Sequence, residues 1–160
     1  MRELFRIIDA NVNRSSEGLR VCEDIARFAL DDRVLTRSLK NARQETLTLA
    51  KKLELSSGTG VIRFRNTIKD VGKKSSGAEL RRRNLYDIYK ANAQRAKESL
   101  RSLEEVSKLI DAQTAKNFKR LRFKIYELEK KSRIKLESIL HNRQKPSGRK
   151  TPSRAGKGSF

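Results

Sequence analysis

Two stretches of the sequence carry the same spacing of asparagine, arginine and glutamate side chains, a set that could bind an anion. The pattern A-N-x-x-R-x-x-E-x-L-R-x-x-E occurs over residues 10–23 and again over residues 91–104, at an offset of 81 residues. An arginine guanidinium holds a phosphate or a carboxylate through forked hydrogen bonds. The candidate anion-binding residues of the two copies are Asn11, Arg14, Glu17, Asn92, Arg95 and Glu98.

The position of these polar residues on a helix leaves two interpretations open. On a helical wheel with about 100° per residue, Asn11 and Arg14 fall among apolar residues and Glu17 lies at the border. Arg95 takes the same place in the second copy. A buried arginine needs a partner because an unpaired buried charge is very costly. Either each arginine pairs with the glutamate three residues later, or the two arginines converge and hold an anion.

A second candidate anion site lies in the basic segment R-x-T-x-x-D-V-G, which ends at Gly72. Arg65 could meet a phosphate, and Thr67 could cap a turn or donate a hydrogen bond. Asp70 completes the candidate residues of this segment. The alternative is a solvated basic loop with a turn at Gly72, and the spacing alone favours that alternative.

The other residues that could carry chemistry indicate neither catalysis nor a metal site. A single cysteine excludes an intramolecular disulfide and a cysteine-based zinc site. Cys22 falls on an apolar helix face, which predicts a core thiol, and His141 is a lone histidine at a helix end. Glu23 and Glu104 are expected to be solvated or paired with the arginine three residues earlier. We therefore expect no catalytic residue, no metal and no cofactor.

Helices must position these residues, because apolar side chains recur with a helical period over four long segments. The predicted helices span residues 4–30, 33–53, 84–111 and 114–140. Since the pattern repeats, we predict an all-α fold of two helical hairpins with pseudo-two-fold internal symmetry, packed as a four-helix arrangement. The predicted units are repeat one over 4–53, a basic loop over 54–83 and repeat two over 84–140.

Length and charge limit the classes of protein and partner. The chain has 160 residues and a formal net charge of +20, and residues 142–160 carry six basic residues and no acidic one. This composition predicts a helical domain over 1–141 and a disordered basic tail over 142–160. An excess of basic over acidic residues favours anionic partners. No signal-peptide pattern and no run of about 18 apolar residues occurs, so we expect a cytoplasmic protein with no membrane partner.

Three blocks of the sequence resemble one known family. They are DANVNRSSEGLRVCEDIARF at 9–28, the R-x-T-x-x-D-V-G segment that ends at Gly72, and N-x-x-R-x-x-E-S-L-R-S-L-E-E at 92–105. In this order they are similar to the helical N-terminal domain fused to some bacterial thiamine-phosphate synthases, over about residues 3–131. Within the loop block, Asn66 stands where that family is expected to carry an acid.

The resemblance implies a role beside an enzyme rather than catalysis. In those fused proteins a following (β/α)₈ barrel joins a pyrimidine pyrophosphate to a thiazole phosphate with Mg²⁺, and a barrel of about 250 residues does not fit this chain. The catalytic residues of the family therefore have no positions here. The implied function is an accessory or regulatory module of thiamine biosynthesis. Its implied partner is a phosphorylated small molecule or a separately encoded barrel synthase.

Two other functions fit the same sequence. The net charge of +20 and the basic tail could bind nucleic acid nonspecifically, with a strong dependence on salt. The sequence shows no recognition-helix signature and no aromatic RNA-binding motif, which counts against this function. The apolar stripe over 114–140 could instead be an interface, which would make the chain a homodimer or a helical interaction module.

Overall fold

The fold is built from helices, as the apolar periods predict. The computed structural model describes residues 2–58 and 81–144, so most of the predicted basic loop and most of the predicted tail lie outside the described residues. The four helices are α1 (Arg2–Phe28), α2 (Arg33–Ser57), α3 (Leu85–Ser107) and α4 (Ala112–Gln144). No strand occurs in the two described ranges, and the all-α class is confirmed.

Polar side chains fix where three of the helices begin. Asp32 precedes α2, and its Oδ1 accepts hydrogen bonds from two first-turn amides at 3.0 and 2.9 Å. Asn84 precedes α3 and accepts a hydrogen bond from a first-turn amide at 2.9 Å. Asp111 precedes α4, and its Oδ1 accepts from a first-turn amide at 3.0 Å. Each cap satisfies a backbone donor that the first turn of a helix leaves unpaired.

The helix ends differ from the predicted ends by up to four residues. α2 continues through Ser57 and stops at Gly58, which adopts the left-handed conformation with φ 67°. α3 ends at Ser107 rather than at residue 111. α4 continues through Gln144, so the residues at 142–144, which were predicted to lie in the tail, are helical. The last turn of α4 is polar, and a polar helix end offers no apolar period from which its length could be predicted.

The helices pack as a bundle in the cyclic order α1, α2, α4, α3. α1 runs antiparallel to α3, because Gly18 lies against Asn92 while Cys22, one turn later, lies against Tyr89. The two predicted hairpins therefore lie side by side, with α1 against α3 and α2 against α4. A pseudo-two-fold axis between the hairpins stays a prediction.

The core contains apolar side chains from all four helices. Those that are almost completely buried include Phe5, Ile8, Leu19, Leu39, Leu53, Leu100, Leu103, Phe118, Leu121 and Ile125. Fully burying one such side chain contributes about 1.5–3 kcal/mol. The shared core, rather than the propensity of any one helix, holds the elements that carry the candidate site.

Charge is divided unevenly between the two sides of the bundle. α1 has five basic and five acidic residues, and α3 has four of each. α2 has six basic and two acidic residues, and α4 has ten basic and three acidic residues. Because α2 and α4 are neighbours, the excess positive charge of the helices lies on the α2–α4 side. Across the described ranges, no helix combines the length and the apolar character that a membrane span needs.

Candidate functional site

The two asparagines of the repeat have equivalent positions on α1 and α3. Asn11 is buried and its Nδ2 donates to the carbonyl of Ile7, at 2.9 Å. Asn92 is half-buried and its Nδ2 donates to the carbonyl of Ile88, at 2.8 Å. Each asparagine therefore bonds to the backbone one turn earlier in its own helix. The helical wheel predicted that Asn11 lies in the middle of the apolar face, whereas it lies towards the edge of the buried face.

Gly18 allows α1 and α3 to approach closely between the two copies of the pattern. A Cβ atom added at Gly18 would lie 2.7 Å from the carbonyl oxygen of Asn92 and 3.6 Å from the Cβ of Ala96. Real Cβ atoms do not approach a backbone oxygen this closely, so the absence of a side chain is needed here. Ser99 takes the equivalent place on α3 and is also buried.

The two arginines do not lie in the core, which corrects the prediction from the helical wheel. Both Arg14 and Arg95 are exposed. The buried positions of α1 are centred about 60° from Asn11 on the wheel, so Arg14 lies about 120° from the centre of the buried face. The wheel alone misplaced that centre, because it counts Ile7 as part of the apolar face next to Arg14, whereas Ile7 is 44% exposed.

The two glutamates are exposed as well. Along the described α1 and α3, no ion pair joins Arg14 to Glu17 or Arg95 to Glu98. Glu98 instead accepts a hydrogen bond from Gln94 Nε2 at 2.7 Å. The interpretation in which each arginine is satisfied by the glutamate one turn later therefore has no counterpart in these contacts. Binding of an anion by these residues stays a prediction.

The second candidate anion site belongs to the predicted basic loop. Arg65, Thr67 and Asp70 lie outside the described residues. Binding of a phosphate by this segment stays a prediction.

Two buried ion pairs involve residues that the sequence did not single out together. Glu23 of α1 is 5% exposed, and its Oε2 accepts from Arg43 Nε of α2 at 3.0 Å. Glu104 of α3 is 4% exposed, and its Oε2 accepts from Arg122 Nη2 of α4 at 2.8 Å. The same contact thus joins the two helices of each hairpin. Of the two alternatives that the sequence left open for these glutamates, their burial excludes the solvated one.

The expected arginine neighbours of these glutamates are present on the same helix. Arg20 Nη1 lies 3.8 Å from Glu23 Oε1, and Arg101 Nη1 lies 3.0 Å from Glu104 Oε1. The signal for the interhelical partners was the weaker repeat L-K-x-x-R at 39–43, which matches F-K-x-x-R at 118–122. The final glutamate of the main pattern therefore stabilises each hairpin and is not available to a ligand.

The single cysteine is a core thiol, as predicted. Cys22 is buried, and its Sγ donates a weak hydrogen bond to the carbonyl of Tyr89 at 3.7 Å. Burial raises the pKa of the Cys22 thiol to about 12, and the charge of Glu129 adds to this effect. A protonated, buried thiol is a poor nucleophile. Within residues 2–58 and 81–144, no group of three histidine, cysteine or carboxylate side chains could hold a metal ion.

Comparison with known proteins identifies the family. Residues 6–131 match the model of the ThiD2 family. The chain belongs to the ThiD2 family. This ThiD2-family chain is also 34% identical over 139 residues to a thiamine-phosphate synthase of Rhodopirellula baltica, a match that covers 86% of the chain and 36% of that relative.

Two further relatives give the same result. The ThiD2-family chain is 39% identical to a thiamine-phosphate synthase of Synechocystis over 79% of its length, and this covers 35% of the relative. A thiamine-phosphate synthase of Thermosynechococcus vestitus is 38% identical over 80% of the chain and 35% of the relative. The chain thus spans about a third of the length of these curated relatives, and the resemblance seen in the sequence is confirmed. No solved structure matches it significantly.

Proposed function

We propose that this ThiD2-family chain is a non-catalytic accessory or regulatory module of thiamine biosynthesis that binds a phosphorylated ligand on the α1–α3 side of the bundle. The curated relatives are thiamine-phosphate synthases, and the match covers about a third of each, which supports a role beside the catalytic part. The partner is a phosphorylated small molecule of this pathway or a separately encoded barrel synthase.

One observation carries the proposal for a ligand. Arg14 and Arg95 are exposed, and no ion pair engages either guanidinium within the described helices. Arg14 lies one turn before Gly18, and Arg95 lies three residues after Asn92, the residue that Gly18 contacts. At about 1.5 Å of rise per residue, both arginines lie within about 6 Å of that contact along their helix axes. Two uncommitted guanidiniums beside one helix contact could hold a phosphate through forked hydrogen bonds.

The test is thermal unfolding at fixed ionic strength, with thiamine phosphate, the pyrimidine pyrophosphate, the thiazole phosphate, pyrophosphate and sulfate. A ligand at about 100 times its Kd stabilises the fold by about 2.7 kcal/mol, which raises the Tm by a few degrees. We expect one pathway compound to raise the Tm and sulfate not to do so. Arg14→Gln and Arg95→Gln should each abolish the shift, and Arg37→Gln on α2 is the matched control.

Three results would contradict this proposal. Equal shifts with sulfate and the pathway compounds would indicate general charge screening. A shift that survives both arginine variants would place the ligand elsewhere. Absence of any shift, together with failure to retain a barrel synthase in a pull-down, would leave the bundle without either proposed partner.

A second candidate function follows from the division of charge. The excess of basic residues on α2 and α4 favours nonspecific binding of nucleic acid through the helical body as well as through the tail. Exposed residues such as Arg37 and Lys40 on α2 would contact phosphates. Loss of duplex DNA binding on reversal of these two charges would support this function, and unchanged binding would exclude the α2–α4 side as its surface.

A further inference from the structure

The hairpin of α3 and α4 contains a cleft that the proposed function does not use. We name it the tyrosine cleft, because Tyr86, Tyr89 and Tyr126, which are all the tyrosines of the chain, line it. Its volume is about 260 Å³. The polar side chains that complete its lining are Lys90, Glu129, Lys130 and Arg133.

An ion pair with little solvent exposure lies beside the cleft. Lys97 Nζ of α3 donates to Glu129 Oε2 of α4 at 2.5 Å, and the lysine side chain is 11% exposed. The same Nζ lies 5.2 Å from the centroid of the Tyr126 ring. Arg122 Nη1 donates to the Tyr126 hydroxyl at 3.2 Å, and its guanidinium carbon lies 5.8 Å from the ring centroid. Tyr126 therefore contacts two cations, Lys97 of α3 and Arg122 of its own helix α4.

A buried phenol adds to the polar character of this hairpin. Tyr89 is 1% exposed. Burial raises the pKa of the Tyr89 hydroxyl, the proximity of Cys22 and Glu129 acts in the same direction, and a hydrogen bond with Ser132 opposes them. Ser132 is also buried. Polar groups in such positions lose their hydration, and hydrogen bonds to protein or ligand atoms must offset the free-energy cost of that loss.

The other hairpin shows that the fold does not require this polar cluster. Asp32 and Asp111 cap α2 and α4 in the same way, and they set the register between the hairpins. In this register, and with the offset of 81 residues between α1 and α3, the equivalents of the cluster in repeat one are mostly apolar. Tyr86, Tyr89, Lys97, Tyr126, Glu129 and Ser132 correspond to Phe5, Ile8, Ser16, Leu47, Ala50 and Leu53.

We propose that the tyrosine cleft is a second ligand site, which binds a planar aromatic ring that carries a phosphate or a carboxylate. The rings of Tyr86 and Tyr126 offer faces and edges for stacking. Lys90 and Lys130 are exposed at the cleft and supply positive charge for the anionic group. A volume of about 260 Å³ suits a molecule with one ring. The site is independent of the proposed arginine site, because it lies between α3 and α4 rather than between α1 and α3.

The first experiment is isothermal titration calorimetry of the full chain with four probes: phenyl phosphate, benzoate, phenol and inorganic phosphate. We expect phenyl phosphate or benzoate to bind at least about tenfold more tightly than phenol and inorganic phosphate, because ring and anion are both recognised. Inorganic phosphate binding as tightly as phenyl phosphate would overturn the proposal, since no ring would then be involved. So would the absence of binding by both aromatic anions.

Substitutions that introduce the equivalent residues of repeat one test the role of the cleft residues in binding. The fold tolerates these residue types at the equivalent positions of the other hairpin. Tyr126→Leu, and the paired change Lys97→Ser with Glu129→Ala, introduce the residues found at the equivalent positions. Tyr126→Leu should weaken aromatic anion binding at least about tenfold, whereas Tyr126→Phe, which keeps the ring, should retain most of it. Unchanged binding in Tyr126→Leu would contradict the proposal. Loss of binding in Arg14→Gln instead would assign the probe to the α1–α3 side.

A direct readout uses the position of all three tyrosines in one cleft. In protein labelled with 3-fluorotyrosine, every fluorine resonance reports on this cleft. The aromatic probe should shift the resonances assigned to Tyr86 and Tyr126, and inorganic phosphate should shift them less. Calorimetric binding with no change in any fluorine resonance would place the probe outside the cleft and refute the inference.

Discussion

Single residues of the repeated pattern divide into two groups by their contacts. The final glutamates, Glu23 and Glu104, are buried and join the two helices of each hairpin through Arg43 and Arg122. Arg14 and Arg95, the first arginines of the two copies, are exposed and form no ion pair in the described helices. The repeated spacing predicted that these polar residues form ion pairs or bind an anion. It did not predict which of them face the neighbouring helix.

Removal of one partner of a buried pair should be costly. Arg122→Ala leaves Glu104 with only the more exposed Arg101 nearby, so we expect the free energy of unfolding to fall by about 3 kcal/mol. Arg120→Ala is the matched control on the same helix, because its contact with Glu45 at 2.9 Å is on the surface. That control should cost about 0–1 kcal/mol. Urea denaturation measures the free energy of unfolding of both variants. Equal decreases would show that the pair of Glu104 and Arg122 contributes no more to stability than the surface pair.

A helical wheel could not place Arg14 because it treats every apolar residue as buried. Ile7 and Phe28 are apolar yet exposed, at 44% and 74%. Only the packing of α1 against both α2 and α3 defines the centre of its buried face. Asn11 lies near that face, and Arg14 lies outside it.

At the scale of the helices, sequence patterns predicted the number and order of the elements well. The four apolar periods correspond to α1–α4, and the capping residues fix three helix starts. The ends were predicted less well, because Ser56 and Ser57 favour loops in isolation but continue α2 here. A serine in a last turn costs little once the packed part of the helix is formed.

The contact between α1 and α3 gives a sharp test at this scale. Alanine normally stabilises a helix interior by about 1 kcal/mol relative to glycine. Gly18→Ala should instead destabilise the protein by about 1–3 kcal/mol, because its Cβ would lie 2.7 Å from the carbonyl oxygen of Asn92. Thermal or urea unfolding measures the change. A gain in stability would show that the two helices separate easily.

Gly58→Ala is a control for Gly18→Ala, because it should destabilise the protein through backbone strain rather than through a close contact between helices. A Cβ there would meet no atom of the described residues within 4 Å, but φ is 67°. Gly58→Ala should therefore cost about 1–2 kcal/mol through backbone strain alone. Only the Gly18 variant should also change the proposed ligand site.

For the molecule as a whole, the sequence predicted the class and the repeat, while the arrangement of charge required the structure. Net charge is a property of composition, and it does not say which helices are neighbours. The cyclic order places α2 beside α4 and so brings together the two helices with a basic excess. The division into a basic side and a balanced side follows from packing.

This division predicts how nucleic acid binding should respond to substitution. Reversal of both charges in Arg37→Glu with Lys40→Glu should lower affinity for a short DNA duplex about tenfold or more. It should also reduce the slope of log K against log salt by about 2, since two phosphate contacts are lost. Fluorescence anisotropy over a range of salt measures both quantities. Arg6→Glu, a single reversal at an exposed site on α1, should have a smaller effect.

Within the four described helices, the uneven placement of basic residues gives a dipole component that is directed across the bundle, from α1 and α3 towards α2 and α4. Near an extended negative surface, this component favours the orientation in which α2 and α4 face that surface. In this orientation α1 and α3 point away, with Arg14 and Arg95 facing open solution. A chain adsorbed on a polyanion would therefore remain able to receive a small ligand on its opposite side.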